Sequence, residues 1–169
     1  MFPIAPIGYR LGHLTSGGSV VPFTQILAEV KAVLESVDGV QNVHDYLRWS
    51  ADLSRHKQLF VANNKFEFWQ IERTAAPSVA STDGQVFRTH QFELWYLREV
   101  DDSNESEKLA QELADDVMDT FNARANLTLN ETTDQIQAAQ MIEKTDVMFG
   151  GVLCTQIHIR IFADEERTP

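Results

Sequence analysis

Apolar residues recur at three- and four-residue spacing between Pro22 and Gly39, which is the period of an amphipathic helix. The stripe comprises Ile26, Leu27, Val30, Val33, Leu34 and Val37. Pro22 suits the first helical position, because its φ angle is already helical and its missing N–H would have no partner there. Gly39 suits the end of the segment, since glycine adopts left-handed backbone angles without strain. The pattern predicts a helix that packs one face on a core.

A second apolar stripe, with strict four-residue spacing, follows an acidic turn. It consists of Leu109, Leu113, Val117 and Phe121, flanked by Ala110, Ala114 and Met118. Ser103 or Asn104 is expected to cap the free N–H groups at its start, and Asn104 with Glu107 has the spacing of a capping box. The segment therefore predicts a second helix that faces the core.

Three segments alternate as strands do, and the first two carry apolar side chains on both faces. The first, residues 66–74, sets Phe66 and Phe68 against Trp69 and Ile71. The second, residues 86–98, sets Phe92, Leu94 and Tyr96 against Trp95 and Leu97. The third follows Gly150 and Gly151 and sets Leu153, Ile157, Ile159 and Ile161 against Cys154, Gln156, His158 and Arg160. Apolar content on a second sheet face hints at a partner chain, because helices on one side cover only the first.

The remaining segments give weaker patterns. Residues 40–49 and 136–147 favour strands, and residues 63–65 favour a turn. Residues 75–85, AAPSVASTDGQ, predict an exposed and mobile connection, and residues 124–135 predict another exposed connection. Residues 50–61 fit either a short helix or a long excursion between strands.

The resulting order is α-β-β-β-α-β-β, which predicts an α+β fold with a mainly antiparallel sheet and two helices packed on one face. A chain of 169 residues suffices for one good core. We therefore expect a single domain over residues 22–166, preceded by an N-terminal extension of residues 1–21.

Composition and charge narrow the classes of function. The formal charge of -11 opposes binding to a phosphate backbone, and no cluster of Lys and Arg offsets it. The first residues lack the basic region and unbroken apolar stretch of a secretory signal, and no run is long enough to span a bilayer. Cys154 is the single cysteine, so no internal disulfide is possible. These features favour a soluble protein that matures in a reducing cytoplasm, with Cys154 as a small buried hydrophobe.

The polar residues form no recognisable reactive constellation. The five histidines lack metal-ligand spacing: His13, His44, His56, His90 and His158. Asp115 and Asp119 share a helix face with Asp116 beside them, as a solvated acidic surface does. No glycine motif for phosphate and no GxSxG nucleophile motif occurs. The sequence predicts no catalytic, cofactor-binding or metal site.

Aromatic residues are the remaining candidates for function. Tyr46, Trp49, Trp69, Trp95 and Tyr96 all lie in or beside predicted strands. Core packing accounts for each of them, but Trp and Tyr are also enriched at protein interfaces. Both alternatives stay open at this point.

Four stretches together resemble the tail terminator or tail completion proteins of long-tailed bacteriophages. They are PFTQILAEVKAVLESVDGVQNVHDY, KFEFWQIERT, HQFELWYLREVDDSNESEKLAQELADDVMDTFN and GGVLCTQIHIRIFADEE, and the likeness of layout covers about residues 22–166. This chain departs from shorter members of the family by its first 21 residues and by residues 50–61.

The resemblance implies a structural virion protein with no enzymatic activity. Members of that family form rings, often hexameric, that cap the tail tube and present a docking surface for the head. For this chain it implies a homo-oligomeric ring, with the tail tube protein and head–tail connector proteins as partners. Trp69, Trp95 and Tyr96, and the loop at Asp83 and Gly84, are the expected subunit or tube contacts.

An acidic lumen would let DNA pass without sticking. The alternatives are a head–tail connector or baseplate component of the same virion, and a small enzyme or ligand-binding domain without a linear motif.

Overall fold

The computed structural model describes residues 23–46, 48, 53–62, 64–80, 86–124, 127–129 and 132–167. Its helices are α1 (Phe23–Glu35), α2 (Leu53–Gln58) and α3 (Ser106–Ala123), with a 3-10 turn at Asp102–Asn104. Its strands are β1 (Val43–His44), β2 (Val61–Ala62), β3 (Lys65–Ala75), β4 (Ser78–Ala80), β5 (Val86–Glu99), β6 (Leu127–Leu129), β7 (Thr132–Phe149) and β8 (Val152–Arg167). The expected extension, residues 1–21, lies outside the described residues.

The strands form one sheet in the order β1-β3-β5-β8-β7-β6, while β2 pairs with β3 and β4 pairs with β5. All neighbours are antiparallel except β1, which runs parallel to β3. The centre is formed by β5 and β8, which stay in register from Val86 opposite Arg167 to Glu99 opposite Cys154. The predicted α+β class with a mainly antiparallel sheet is confirmed.

The main core lies between this sheet and the helices α1 and α3. Both predicted stripes enter it, with Ile26, Val30, Val33 and Leu34 from α1 and Leu113, Val117 and Phe121 from α3. The sheet contributes alternate residues: Trp69, Ile71, Phe92, Leu94, Tyr96, Ile157, Ile159 and Ile161. Burying this much aliphatic and aromatic surface is the main source of stability, at about 25 cal/mol per Å² removed from water.

The turn between β7 and β8 is made by Gly150 and Gly151, whose φ angles are +59° and +87°. Positive φ at both central residues is what a tight two-residue hairpin requires. A Cβ atom on Gly150 would also lie 3.3 Å from Cε of Lys57 and 3.4 Å from Cζ of Phe66. Glycine is thus needed there for space as well as for backbone angle.

The helix termini differ from the sequence prediction. Gly39 is left-handed at φ +90°, as expected, but α1 ends at Glu35 and a turn separates the two. The predicted cap of the second helix, Ser103 or Asn104, is wrong. Asp101 accepts a hydrogen bond from the Ser103 N–H and caps the start of the 3-10 turn at Asp102–Asn104, and α3 begins only after this turn, at Ser106.

The first residue of the second stripe was also wrongly placed in the core. Leu109 is 40% exposed, whereas Ala110 and Ala114 are fully buried. The helix is rotated so that its small residues face the sheet and Leu109 lies at the rim. A strict four-residue stripe drifts around a helix of 3.6 residues per turn, so one end of such a stripe leaves the buried face.

The weak segments contain more regular structure than predicted. The expected connection at residues 75–85 includes β4, and the one at residues 124–135 includes β6 and the start of β7. Conversely, a strand was predicted over residues 40–49, and the strand observed among the described residues of this segment is only Val43–His44. The open segment 50–61 contains the short helix α2.

Candidate functional site

The sheet face opposite α1 and α3, here called the outer face, carries two environments. At one end α2 and the turn after it cover a second apolar cluster: Phe60, Phe66, Phe68, Leu97 and Cys154. Cys154 is fully buried there, as predicted. The predicted division of β3 is confirmed, since Phe66 and Phe68 lie in this cluster while Trp69 and Ile71 lie in the main core.

Beyond this cluster, no described helix packs on the outer face. Its surface is formed by side chains of β5 and β8 that alternate with core residues: Gln91, Glu93, Trp95, His158, Arg160 and Phe162. Trp95 and Phe162 are half-buried rather than covered. We call these six residues the outer-face patch. It combines two aromatic side chains with a central ionic cluster.

Glu93 is the centre of that cluster and is only 3% exposed. Its carboxylate accepts hydrogen bonds from Nε of Arg160 at 2.8 Å, from Nε2 of Gln91 at 2.6 Å and from the ring of His158. Burial opposes ionisation, but these hydrogen bonds outweigh it and hold the pKa of the Glu93 carboxyl below its ordinary value. A buried charge with such partners is fixed in position.

Trp95 lies directly opposite His158 in the register of β5 and β8. Because the His158 ring is also tied to Glu93, the indole rests on a surface that cannot rotate freely. A half-exposed aromatic held rigidly in this way loses little conformational entropy on contact with another protein. This is the arrangement expected of an interface residue.

A second buried polar pair lies on the opposite face, beside the start of α1. Nε2 of His90 and Oε2 of Glu165 are 3.0 Å apart, and both side chains are 1% exposed. Burial lowers the pKa of His90 despite the opposing effect of Glu165. Nδ1 of His90 is buried without a hydrogen-bond partner among the described residues. The pair packs under the ring of Phe23, 6.4 Å from the His90 ring.

The predicted interface residues fall into three groups. Trp69 and Tyr96 are fully buried in the main core and stack on each other at 4.4 Å, so packing within one chain replaces the interface role predicted for them. Trp95 remains accessible, and its interface role stays a prediction. Asp83 and Gly84 lie outside the described residues. Tyr46, in contrast, is 61% exposed.

Sequence reasoning missed Glu93, Arg160 and Glu165 as members of buried clusters. Glu93 stands in the run Phe92–Trp95 as an isolated acid among aromatics, and a carboxylate at that position needs partners if it is buried. That was the available signal. The identity of the partners could not be read, because Arg160 lies 67 positions away along the chain.

Acidic and metal-ligating side chains of the described residues were the remaining places to look for a chemical site. They contain no group of three or more His, Cys, Asp or Glu side chains placed to hold a metal ion. An open groove between the end of α1 and α3 is lined by Asp38, Asp116 and Asp119, and these side chains are solvent-exposed. Among the described helices, none has the length and apolar character needed to cross a membrane.

Comparison with known proteins finds a likeness among solved structures but none among protein families or curated sequences. No protein-family model and no curated protein sequence matches the chain. A chain of the solved structure "Virion of native gene transfer agent (GTA) particle" is similar at 10% sequence identity and a TM-score of 0.46, covering 91% of this chain and 100% of that one. A score below 0.5 at this identity establishes neither a shared family nor a shared role.

Proposed function

We propose that this chain is a structural subunit of a phage-type virion, assembling into a ring that caps the tail tube and offers a joining surface to the head. The observation that carries the proposal is the outer-face patch. A rigid half-buried tryptophan, an arginine and a fixed ionic centre occupy the part of the outer face beyond the apolar cluster, where no described helix packs. Aromatic residues and Arg are the types enriched where protein interfaces carry their binding energy.

Exposed apolar side chains outside this patch point the same way. Val79 and Phe87 lie opposite each other on β4 and β5 and are 67% and 40% exposed. Met148 and Leu153, opposite each other beside the glycine turn, are 68% and 46% exposed. Paired rather than single exposed apolar residues are what a protein with more than one contact surface presents. A ring subunit contacts two neighbours and the tube beneath them.

The sequence resemblance to tail terminators supports the proposed place at the end of the tail tube, and the charge is compatible with it. A net charge of -11 suits a ring through which DNA passes, since carboxylates in the lumen repel phosphates. The same charge makes assembly sensitive to salt: added salt screens the repulsion between subunits and favours rings.

The test is size-exclusion chromatography with light scattering on the full chain over a range of protein concentration and salt, followed by negative-stain microscopy. We expect rings of about six subunits. Because terminators in the resembled family assemble on the tube, the same measurement is repeated with assembled phage tail tubes. Rings at tube ends support the terminator role.

Other outcomes reject the proposal in distinguishable ways. Binding to sites other than the tube end would favour a connector or baseplate component. A strict monomer at high concentration that also ignores tail tubes would reject the assembly role altogether, and would turn attention to a ligand-binding function.

A further inference from the structure

We infer that residues 1–14 of one copy pack on the outer face of a neighbouring copy, along an aromatic stripe formed by Phe87, Phe162 and Trp95. The inference rests on the proposed function, because it names what covers the outer-face patch when the ring forms. The occupant is a segment of a second copy of this chain, joined to α1 by residues 15–22.

Residues 1–14, MFPIAPIGYRLGHL, differ in chemistry from the rest of the chain. All 25 acidic residues lie after this segment, which contains a single Lys or Arg, Arg10. Its large apolar side chains are Phe2, Ile4, Ile7, Tyr9, Leu11 and Leu14. Pro3 and Pro6 have PxxP spacing, and proline favours an extended, polyproline-type course at and before its own position. Such segments bind aromatic surfaces, because they lose little conformational entropy when they dock.

The aromatic stripe follows the strands β5 and β8. Phe87 and Trp95 point to the same side of β5, because an even number of residues separates them in a strand that pairs with β8 without interruption. Phe162 lies between them on β8, opposite Gln91. Phe87 is 40% exposed, and Phe162 and Trp95 are half-buried. The stripe is about 26 Å long, which matches about eight residues of polyproline-type chain.

The charges beside the stripe complement the segment. Glu72 lies opposite Glu93 on the flanking strand β3, and Glu143 lies opposite His158 on the flanking strand β7. The side chains of Glu72 and Glu143 are exposed. Arg10 of the incoming segment can pair with either of them, and the segment brings no carboxylate that they would repel. The segment thus matches the stripe in charge as well as in apolar character.

The helix that follows the segment begins on the other side of the sheet. The ring centroid of Phe23, the first residue of α1, lies 6.4 Å from that of His90, and the guanidinium carbon of Arg73 lies 3.7 Å from the same centroid. His90 points to the opposite side of β5 from Trp95. Because α1 begins behind its own outer face, a neighbouring copy offers the more direct contact. A segment on one copy and a sheet face on the next are different surfaces, and such contacts generate rings when the rotation closes.

The connection to α1, residues 15–22 with the sequence TSGGSVVP, sets the reach of the segment. A connection of this length spans at most about 28 Å when it is fully extended. It carries no charge and contains Gly17 and Gly18, which accept a wide range of backbone angles. Residues 1–14 can therefore reach a surface beside the start of α1 but not a distant part of an assembly. The contact is one between adjacent copies.

The first experiment compares two double variants of the full chain: Ile4→Asp with Ile7→Asp and, as the control, Ser16→Asp with Ser19→Asp. Both add two negative charges before α1, but only the first places them in the docking segment. We expect the first to raise the apparent dissociation constant for self-assembly by about 100-fold or more, because the added carboxylates would lose water against aromatic side chains. The control should assemble as the wild type does. Light scattering measures assembly, and circular dichroism checks that both variants fold. Normal assembly of the folded Ile4→Asp, Ile7→Asp variant would overturn the inference.

The second experiment mixes the Ile4→Asp, Ile7→Asp variant with Trp95→Ala. The first variant keeps an intact stripe and the second keeps an intact segment, so only one productive contact can form between them. At a concentration where the wild type is fully assembled, we expect each variant alone to be monomeric and the mixture to form dimers with one copy of each. Light scattering gives the mass. A mixture that stays monomeric would overturn the inference, since a segment packed on its own copy gives that result.

The two experiments separate this inference from the proposed function. If the Ile4→Asp, Ile7→Asp variant forms the same rings as the wild type, segment exchange is overturned and the ring is left intact. A wild-type chain that self-associates neither alone nor on tail tubes would overturn both.

Discussion

The indole ring of Trp95 lies parallel to the imidazole ring of His158, with centroids 3.8 Å apart and planes inclined by 13°. The two residues face each other across β5 and β8 on the outer face. Trp95 is half-buried there, whereas Trp69, on the adjacent strand and the opposite face, is fully buried. Replacing each of these two tryptophans should therefore affect a different property of the protein, the stability of the fold for Trp69 and self-assembly for Trp95.

Trp95→Ala should leave the fold intact and weaken self-assembly. The stack on His158 contributes about 1 kcal/mol to the stability of the monomer, so its removal should lower the free energy of unfolding only slightly. Assembly should weaken much more if the indole is covered by a neighbouring copy. Thermal unfolding and light scattering measure the two effects. Trp69→Ala is the contrast, with an expected loss of about 3 to 5 kcal/mol. If the Trp95→Ala variant assembles as the wild type does, Trp95 does not lie in the interface.

Glu93→Gln should destabilise the folded chain by about 2 to 3 kcal/mol. The change keeps the shape of the side chain but leaves Arg160 facing a neutral amide, and hydrogen bonds to charged groups contribute more than neutral ones. Urea denaturation gives the difference in the free energy of unfolding. Glu72→Gln is the control, because Glu72 lies directly opposite Glu93 on β3 but is exposed. It should change stability by less than about 0.5 kcal/mol. Equal effects of the two would contradict a special role for Glu93.

Leu113→Asp should unfold the domain. Leu113 is 8% exposed in the main core, and its replacement both removes apolar contacts and places an unpaired carboxylate there. The combined cost exceeds about 3 kcal/mol, a large share of the stability of a single domain. Far-ultraviolet circular dichroism provides the measurement. Leu109→Asp, made at the exposed rim of the same helix, should remain folded.

Acidification should destabilise the chain partly through His90. The unfolded chain takes up a proton on this histidine near its ordinary pKa of about 6.5, whereas the folded chain does so only at lower pH. The unfolded state therefore binds more protons in that window, and the free energy of unfolding falls as the pH is lowered through it. His90→Gln keeps a donor for Glu165 but does not titrate, so its stability should decline less between pH 7 and 5. Parallel stability curves for the two proteins would contradict this assignment.

The sequence was sufficient to predict those elements whose local period agrees with their burial. The stripe of α1, the alternation of β5 and the opposite faces of β3 are all present as predicted, because each pattern reports a face turned towards one core. Leu109 was misplaced for a specific reason. Its apolar side chain fits the stripe, but the two alanines beside it pack closer to the sheet and set the rotation of the helix.

The candidate site was less accessible to sequence reasoning. Aromatic residues on both faces of the strands indicated a second surface besides the main core. At one end of the outer face this surface is the buried apolar cluster, and at the other end it is the accessible outer-face patch. The pattern could not tell Trp69 from Trp95, since each lies in a strand among apolar neighbours. The difference depends on which strand residues lie under α1 and α3. Likewise, the pairing of Glu93 with His158 and Arg160 depends on the register between β5 and β8, which no local pattern contains.

The glycine turn between β7 and β8 has a consequence for how the chain folds. Phe149 meets Val152 across two residues, whereas Val86 meets Arg167 only after the whole of α3, β6 and β7 has been placed. Closing the short loop costs far less chain entropy than closing the long one. A hairpin can zip from such a turn in microseconds, well before distant strands find each other. The β7–β8 hairpin is then the expected nucleus, and β5 docks onto a β8 strand whose path is already fixed.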